Sequence, residues 1–320
     1  MRDTGRTLFQ RTASAMGWWT GSDHAAGERM PLHDTAATIA ETAVAGGYSA
    51  GLVAAFRLPI RSPSAVAIGS ADLEQDLTLT VDHSCPVGSC LRQFIAAAIL
   101  LLVEGNRMRL TDRAIRFGGA EDGLAGTSVQ DLLHGGRDCY DRLEQIVTHV
   151  AGESFAQFAT TNLLLAAGMT QSVLADAEGF LPRRATGYRL TAGRAHAFET
   201  VAEIGTGLHA TAGDLLLWNR ALLNGRLLTH AAVDLMTNGS REGTPGPELA
   251  SIVERHRLGW GLESGRILGH RAFWQRGEAP GFDAWLFHFP DARIDLALLA
   301  NTEQGAETIL EPMLRAVLRA

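Results

Sequence analysis

The stretch Gly88–Asp112 reads GSCLRQFIAAAILLLVEGNRMRLTD, and its spacing predicts a core helix with a serine at its mouth. Gly88 and Ser89 stand where a turn would open a helix. Leu91, Phe94, Ile95, Ala98, Leu101 and Leu102 then recur at helical spacing, so one face must be buried. Gly105 and Asn106 close the element, as expected of a helix C-terminus, and Leu110-Thr-Asp starts the next segment.

Around this helix the chain has 320 residues, of which 46% are hydrophobic, enough for a sizeable core in one large domain or two closely joined ones. The formal net charge of −7 points to neither a nucleic-acid nor a membrane surface. There is no lysine, so all 28 basic side chains are arginine. GC-rich codon usage would give that composition, and so would selection against primary amines in a protein that meets electrophilic carbonyls. Cys85, Cys90 and Cys139 show no disulfide pattern or metal-ligand spacing, and the eleven histidines form no recognisable ligand cluster, so no cofactor or metal is expected. The first residues, MRDTGRTLFQRTASAMGWW, lack the apolar run of a signal peptide, which gives cytoplasmic residence as the expectation.

Residues 1–30 are polar and irregular and read as an N-terminal extension. Thr35–Ala45 reads as a helix, and Ala50–Leu58 and Ser64–Ala71 as strands joined across Pro59 and Pro63. Leu181–Thr200 reads as an irregular crossover and Leu215–Asn224 as a helix. Ser240–Ser251 is a Gly- and Pro-containing surface loop. Leu258–Glu263, Ile267–Trp274, Phe282–Phe289 and Ile294–Ala300 read as strands of an antiparallel sheet, and Ala306–Leu318 as a helix packed on it.

The motif order resembles the superfamily of serine β-lactamases, DD-peptidases and class C-like esterases. There a Gly-Ser-x-x-Lys tetrad opens an Ala-rich helix that runs into Leu-Val-Glu-Gly and Leu-x-Asp. Here the tetrad is Ser89-Cys90-Leu91-Arg92, so the serine is kept and the lysine has become arginine. Ser128-Val-Gln-Asp-Leu-Leu-His134 and Gly168-Met-Thr170 match further landmarks. The family's Tyr-x-Asn position falls on Gly135 and Arg137, with Tyr140 nearby; Tyr140 is a pocket hydrogen-bond donor or a buried helix tyrosine satisfied locally. His134 reads as a loop or capping residue. Gly205–Asp214 resembles the family's Gly-Gly-Leu-x-Ser-Thr segment, with Thr211 and Asp214 capping the next helix. Counting back from Gly281-Phe282 places the third motif, Lys-Thr-Gly or His-x-Gly, on Gln275-Arg276-Gly277.

The resemblance implies an α/β (α+β) fold of the β-lactamase type, an antiparallel sheet flanked by helices. On that reading residues 31–119 and 205–320 form the α/β domain and residues 120–204 a shortened helical insertion. It also implies a pocket at Ser89. A guanidinium stays charged in proteins, so Arg92 can hold an anion but cannot act as the base that the family's lysine provides; otherwise it is a tolerated neighbour in an inactive site. The candidate catalytic residues are Ser89, Arg92 and Glu278. Arg92, Tyr140, Trp274, Gln275 and Arg276 are candidate substrate-binding residues. Glu278 is either a proton carrier or a solvated turn residue. Strand neighbours alternate faces, so if Gln275 faces the site Arg276 points away.

With these exchanges the expected function is a non-hydrolytic enzyme of specialised metabolism acting on a small carboxylate-bearing substrate, in an amine–carbonyl condensation and cyclisation of the Pictet–Spengler kind. Arg92 would anchor the carboxylate, Ser89 would hydrogen-bond the carbonyl and Glu278 would move protons. The alternatives are a weak serine esterase or acyltransferase with Ser89 as nucleophile, and a catalytically inactive ligand-binding protein. The expected partners are a small-molecule substrate and, potentially, a second copy of the chain.

Overall fold

A computed structural model describes residues 31–118, 123, 126–175, 183–191, 194–198, 207–239 and 241–320. The N-terminal extension read at residues 1–30, the insertion boundary near residue 120, most of the linker before residue 207 and parts of the crossover read at Leu181–Thr200 lie outside these residues.

The chain begins with helix α1 (Pro31–Ala45), followed by strands β1 (Gly51–Arg57), β2 (Ser64–Asp72), β3 (Leu77–Thr78) and β4 (Cys85–Pro86). Gly88–Cys90 forms one turn of 3₁₀ helix that leads into α2 (Leu91–Glu104). Four helices follow: α3 (Val129–Leu133), α4 (Arg137–Ala151), α5 (Phe155–Ala159) and α6 (Leu165–Ala167). Next come β5 (Val173–Ala175), the hairpin β6 (Tyr188–Thr191) and β7 (Arg194–Ala197), β8 (Gly207–Ala210), α7 (Ala212–Leu223) and α8 (His230–Thr237). The remaining strands are β9 (Arg241–Glu242), β10 (Val253–Leu258), β11 (Glu263–Ile267), β12 (His270–Ala279), β13 (Phe282–Phe289) and β14 (Ile294–Ala300), and α9 (Glu307–Arg319) closes the chain.

Nine strands form one antiparallel sheet in the order β3-β2-β1-β14-β13-β12-β11-β10-β9. Its two faces carry different cores because successive side chains on a strand point to opposite sides. Val53, Ala55, Phe273, Leu286, Ala297 and Leu299 join one core with α2, α4 and α7. Leu52, Phe56, Trp274, Trp285, Phe287 and Leu298 join the other with α1 and α9. A strand covered on both faces needs no polar alternation, and all eight residues of β13, FDAWLFHF, are buried. This is an α/β architecture with helices on both sides of an antiparallel sheet.

Phe282–Phe289 and Ile294–Ala300 are strands at the residues their sequence suggests. Leu258–Glu263, expected as a strand, is instead the bend between β10 and β11. Gly261 has φ +73° there, and a side chain on it would overlap the backbone of Arg92 and Gln93 at the start of α2. The expected strand Ile267–Trp274 likewise spans a turn at Leu268 and Gly269, both at positive φ, before β12 begins at His270.

Helix α2 is anchored from its first turn. Gln93 is buried and accepts a hydrogen bond from Trp218 Nε1 at 3.0 Å, and Phe94 stacks on the Trp218 ring with centroids 3.7 Å apart. Helix α7 carries Trp218 and starts from a Thr211 cap that accepts the Asp214 N–H at 3.2 Å. The Asp214 carboxylate turns away from its own helix to accept the Gln171 N–H at 2.9 Å and the Ser172 hydroxyl at 2.8 Å. Burial pushes its pKa up to about 6, although those two donors oppose the shift. A carboxyl with a raised folded-state pKa binds its proton more tightly when folded, so its contribution to stability is full below about pH 4 and falls as pH rises toward 6. Asp214→Asn should therefore remove this component. The stability of the wild type relative to the variant, followed by thermal melting, is expected to be highest near pH 4 and to decline through pH 6.

Candidate active site

Ser89 is positioned by a contact between backbones. Gly88 has φ +49°, and a Cβ on it would collide with the backbone of Glu278 on β12; a Cβ on Gly277 would collide with the Val87 carbonyl. The serine turn and β12 approach this closely because both positions are glycine. Hydrogen bonds tie down the rest of the turn. Val87 N–H donates to Leu208 O on β8 at 2.9 Å, Cys90 N–H donates to Val87 O at 3.0 Å, and the buried Cys90 thiol donates to Gln275 O on β12 at 3.7 Å. Ser89 itself is half-buried, and among the described residues its hydroxyl has no hydrogen-bond partner.

Arg92 is three residues further along the same helical path, so it shares a face with Ser89. It is half-buried, with its guanidinium carbon 5.5 Å from the centroid of the Tyr140 ring, and among the described residues no carboxylate pairs with it. Tyr140 lies in α4 and is buried. Its hydroxyl donates to Leu133 O at 3.0 Å, and burial pushes its pKa well above the usual phenol range. Tyr140 therefore presents a ring to Arg92 while its hydroxyl is engaged elsewhere.

Strand β12 separates the other candidates by face. Phe273 belongs to the core on the α2 side, which places Gln275 and Gly277 toward the serine turn. The Gln275 side chain is buried there, and its Nε2 donates to Arg276 O at 2.8 Å. Trp274, Arg276 and Glu278 alternate onto the opposite face. Trp274 packs in the α1–α9 core with its ring 5.3 Å from His256. Arg276 is ringed by carboxylates: Glu278 at 3.0 Å, Glu248 and Asp283 at 3.2 Å, and Glu307 at 2.6 Å. The Glu278 side chain is 62% exposed and held by Arg276. The structure thus brings Ser89, Arg92, Tyr140 and Gln275 together, and places the side chains of Trp274, Arg276 and Glu278 across the sheet from them.

His134 is also engaged: its Nε2 accepts the Trp260 Nε1–H at 3.1 Å, and burial lowers its pKa. Among the described residues no group of three or more His, Cys, Asp or Glu side chains could hold a metal ion, and no helix is long and apolar enough to cross a membrane.

A family model described as Beta-lactamase matches residues 140–319. The chain belongs to that family. Among solved structures, D-amino acid amidase from Ochrobactrum anthropi SV3 is 19% identical with a TM-score of 0.79, covering 91% of this chain and 99% of the amidase. Penicillin-binding protein from Bacillus halodurans is 16% identical with a TM-score of 0.75, covering 90% and 99%. EstCE1, described as a hydrolase with promiscuous acyltransferase activity, is 18% identical with a TM-score of 0.74, covering 89% and 98%. At these identities the likeness establishes the β-lactamase-type fold. No curated protein matches the chain significantly.

These relatives correct one expectation. The amidase and EstCE1 are hydrolytic enzymes by their descriptions and the penicillin-binding protein shares their fold, so the scaffold carries hydrolytic chemistry in its neighbours and not amine–carbonyl condensation. The reading as a Pictet–Spengler cyclase of biosynthesis is therefore withdrawn. Its proton carrier fails on geometry as well, since the Glu278 carboxylate is solvent-facing and across the sheet from Ser89. Sequence reasoning placed Gly88 at the turn that opens the helix but did not foresee its contact with β12, and it passed over Gly277 and Gly261 as residues that fit the serine turn and the α2 backbone into place. The signal was available in Gly259-Trp-Gly261, where two glycines in a short apolar run indicate a bend.

Proposed function

We propose that this member of the Beta-lactamase family is a serine hydrolase or acyltransferase that forms an acyl-enzyme on Ser89. The observation that carries the reading is a half-buried serine hydroxyl without a partner among the described residues, held at the mouth of a core helix against the backbone of Gly277 and Glu278. Ala279 and Phe282 flank a two-residue turn and face each other across β12 and β13. The next residue back, Glu278, then directs its N–H away from β13, on the side where Gly88 lies. The N–H groups of Ser89 and Glu278 cradle the oxyanion that develops when the Ser89 oxygen attacks an ester or amide carbonyl. Glu278 thus contributes through its backbone, while its side chain stays on the far face.

The catalytic letters of the family have drifted in this chain. Arg92 replaces the lysine, Gln275 replaces the cation of the third motif, and Gly135 and Arg137 stand at the Tyr-x-Asn position. A guanidinium offers no base, the Tyr140 hydroxyl donates to Leu133 O and the His134 Nε2 is occupied by Trp260. No described side chain presents a base to Ser89, so its proton passes to solvent hydroxide, and turnover is slow. The expected pH profile is correspondingly simple. The logarithm of kcat/KM climbs with a slope of about one from pH 6 to 9, and a plateau beginning near pH 7 would instead reveal a titrating base.

Intact-mass analysis tests the reading directly. Wild-type protein incubated with a fluorophosphonate or an activated ester is expected to gain one adduct, and Ser89→Ala none. An unmodified wild type, or an adduct that persists in the variant, would overturn it.

A further inference from the structure

Arg92 is a cation that the described part of the fold leaves unpaired. Two other half-buried arginines are matched, Arg57 by Asp295 and Arg276 by four carboxylates, whereas Arg184 like Arg92 has no carboxylate partner among the described residues. Of these two only Arg92 shares a helix face with Ser89. Arg92 is half-buried yet has only the face of the Tyr140 ring beneath it. That ring is a rigid platform, because its hydroxyl is fixed to Leu133 O and Tyr140 is itself buried in the core. The α2 backbone that carries Arg92 is equally constrained, with Gly261 pressed on the Arg92 carbonyl and Gln93 bound to Trp218. The guanidinium is therefore held on the same face as the nucleophile, with an unmet demand for an anion.

We propose that the acyl donors of this enzyme are half-esters of short dicarboxylic acids, with Arg92 as the residue that selects them; this rests on Ser89 being the nucleophile. A guanidinium fork matches the two oxygens of a carboxylate, which ammonium or amide groups do not. Residues three apart on a helix have Cβ atoms about 5–6 Å apart, so the anchored carboxylate and the reacting carbonyl belong to one small molecule separated by a few carbons. Succinyl, glutaryl and adipyl groups have that form. In the acylation step the bond from Ser89 Oγ to the acyl carbon forms and the bond from that carbon to the alkoxy oxygen breaks. The alcohol leaves with a proton equivalent to the one lost by the serine. Water then cleaves the acyl-enzyme, releasing the free dicarboxylic acid and restoring the hydroxyl.

The test compares monoethyl succinate, glutarate and adipate with ethyl butanoate, pentanoate and hexanoate, measuring ethanol release by the full chain. The wild type should favour the half-esters in kcat/KM by roughly 10- to 100-fold, the worth of one charge-assisted hydrogen-bonded pair. In Arg92→Gln that ratio should collapse toward one, mainly through a higher KM for the half-esters, in a variant shown by thermal melting to be folded. No preference in the wild type, or a preference retained in Arg92→Gln, overturns the proposal. Failure of the Ser89 reading would look different, with no ester turned over and no adduct formed. In that event thermal stabilisation by free glutarate decides the Arg92 assignment. Stabilisation of the wild type but not of Arg92→Gln supports it, and equal or absent stabilisation overturns it.

Discussion

Adding a single methyl group at Gly277 is expected to cost about 3 kcal/mol or more of stability and to abolish covalent labelling of Ser89 in the folded fraction. In the native structure the Gly277 Cα faces the Val87 carbonyl so closely that a Cβ would overlap it, with the Cys90 backbone nitrogen also within 3.0 Å. Both obstacles are backbone and neither can rotate away. Val87 is tied to Leu208 on one side and to Cys90 on the other, so relief requires the serine turn to lift off β12. The same movement would part the two N–H groups that cradle the oxyanion. Gly277→Ala is therefore expected to lower the midpoint of denaturant unfolding and to lose the Ser89 adduct together. A variant that melts like the wild type and still labels would show that the turn is not held by this contact.

Replacing Arg276 by leucine should destabilise the protein by about 3–5 kcal/mol at pH 8, the usual cost of breaking a buried ion pair from one side. Asp283, with a side chain wholly inaccessible to solvent, would be the group left behind. Burial already pushes its carboxyl up to about 6, even with Arg276 beside it at 3.2 Å. Removing the cation raises that pKa further, so the uncompensated charge is felt above the new value and disappears once the carboxyl is protonated. The defect of Arg276→Leu should accordingly shrink as pH is lowered from 8 to 5. Urea titrations of both proteins at the two pH values check the sign. Because Arg276 lies across the sheet from Ser89, its loss should act on stability first and on labelling only through unfolding.

Much of the sheet was legible in the sequence because its signal is local. FDAWLFHF and IDLALLA are apolar runs bounded by Gly, Pro and Asp turns, and both are buried strands with the same limits. The helix after Ser89 was legible for a similar reason, through a 3.6-residue apolar period. The bend at Gly259–Gly261 was not, because the apolar Trp260 and Leu262 there serve a core contact and not a strand. The site was legible only in part. Alternation along β12 allowed Gln275 and Arg276 to be assigned to opposite faces, yet Trp274 and Glu278 were assigned to the pocket although the same rule puts them with Arg276.

The sequence by itself determined the class of fold, the buried helix that begins at a serine, and the presence of a permanently charged guanidinium where a lysine would supply a base. The helix follows from apolar periodicity, a property of neighbours along the chain, while the class of fold and the lysine's place at Arg92 are what the resemblance to the serine β-lactamase superfamily implies. The tertiary structure decided which of the candidates meet. The contact of Gly88 with Glu278 and of Gly277 with Val87 joins segments some 190 residues apart, and the Tyr140 ring reaches Arg92 from a separate helix. Such encounters are set by how the two cores pack against the sheet, and no local pattern of residues encodes them.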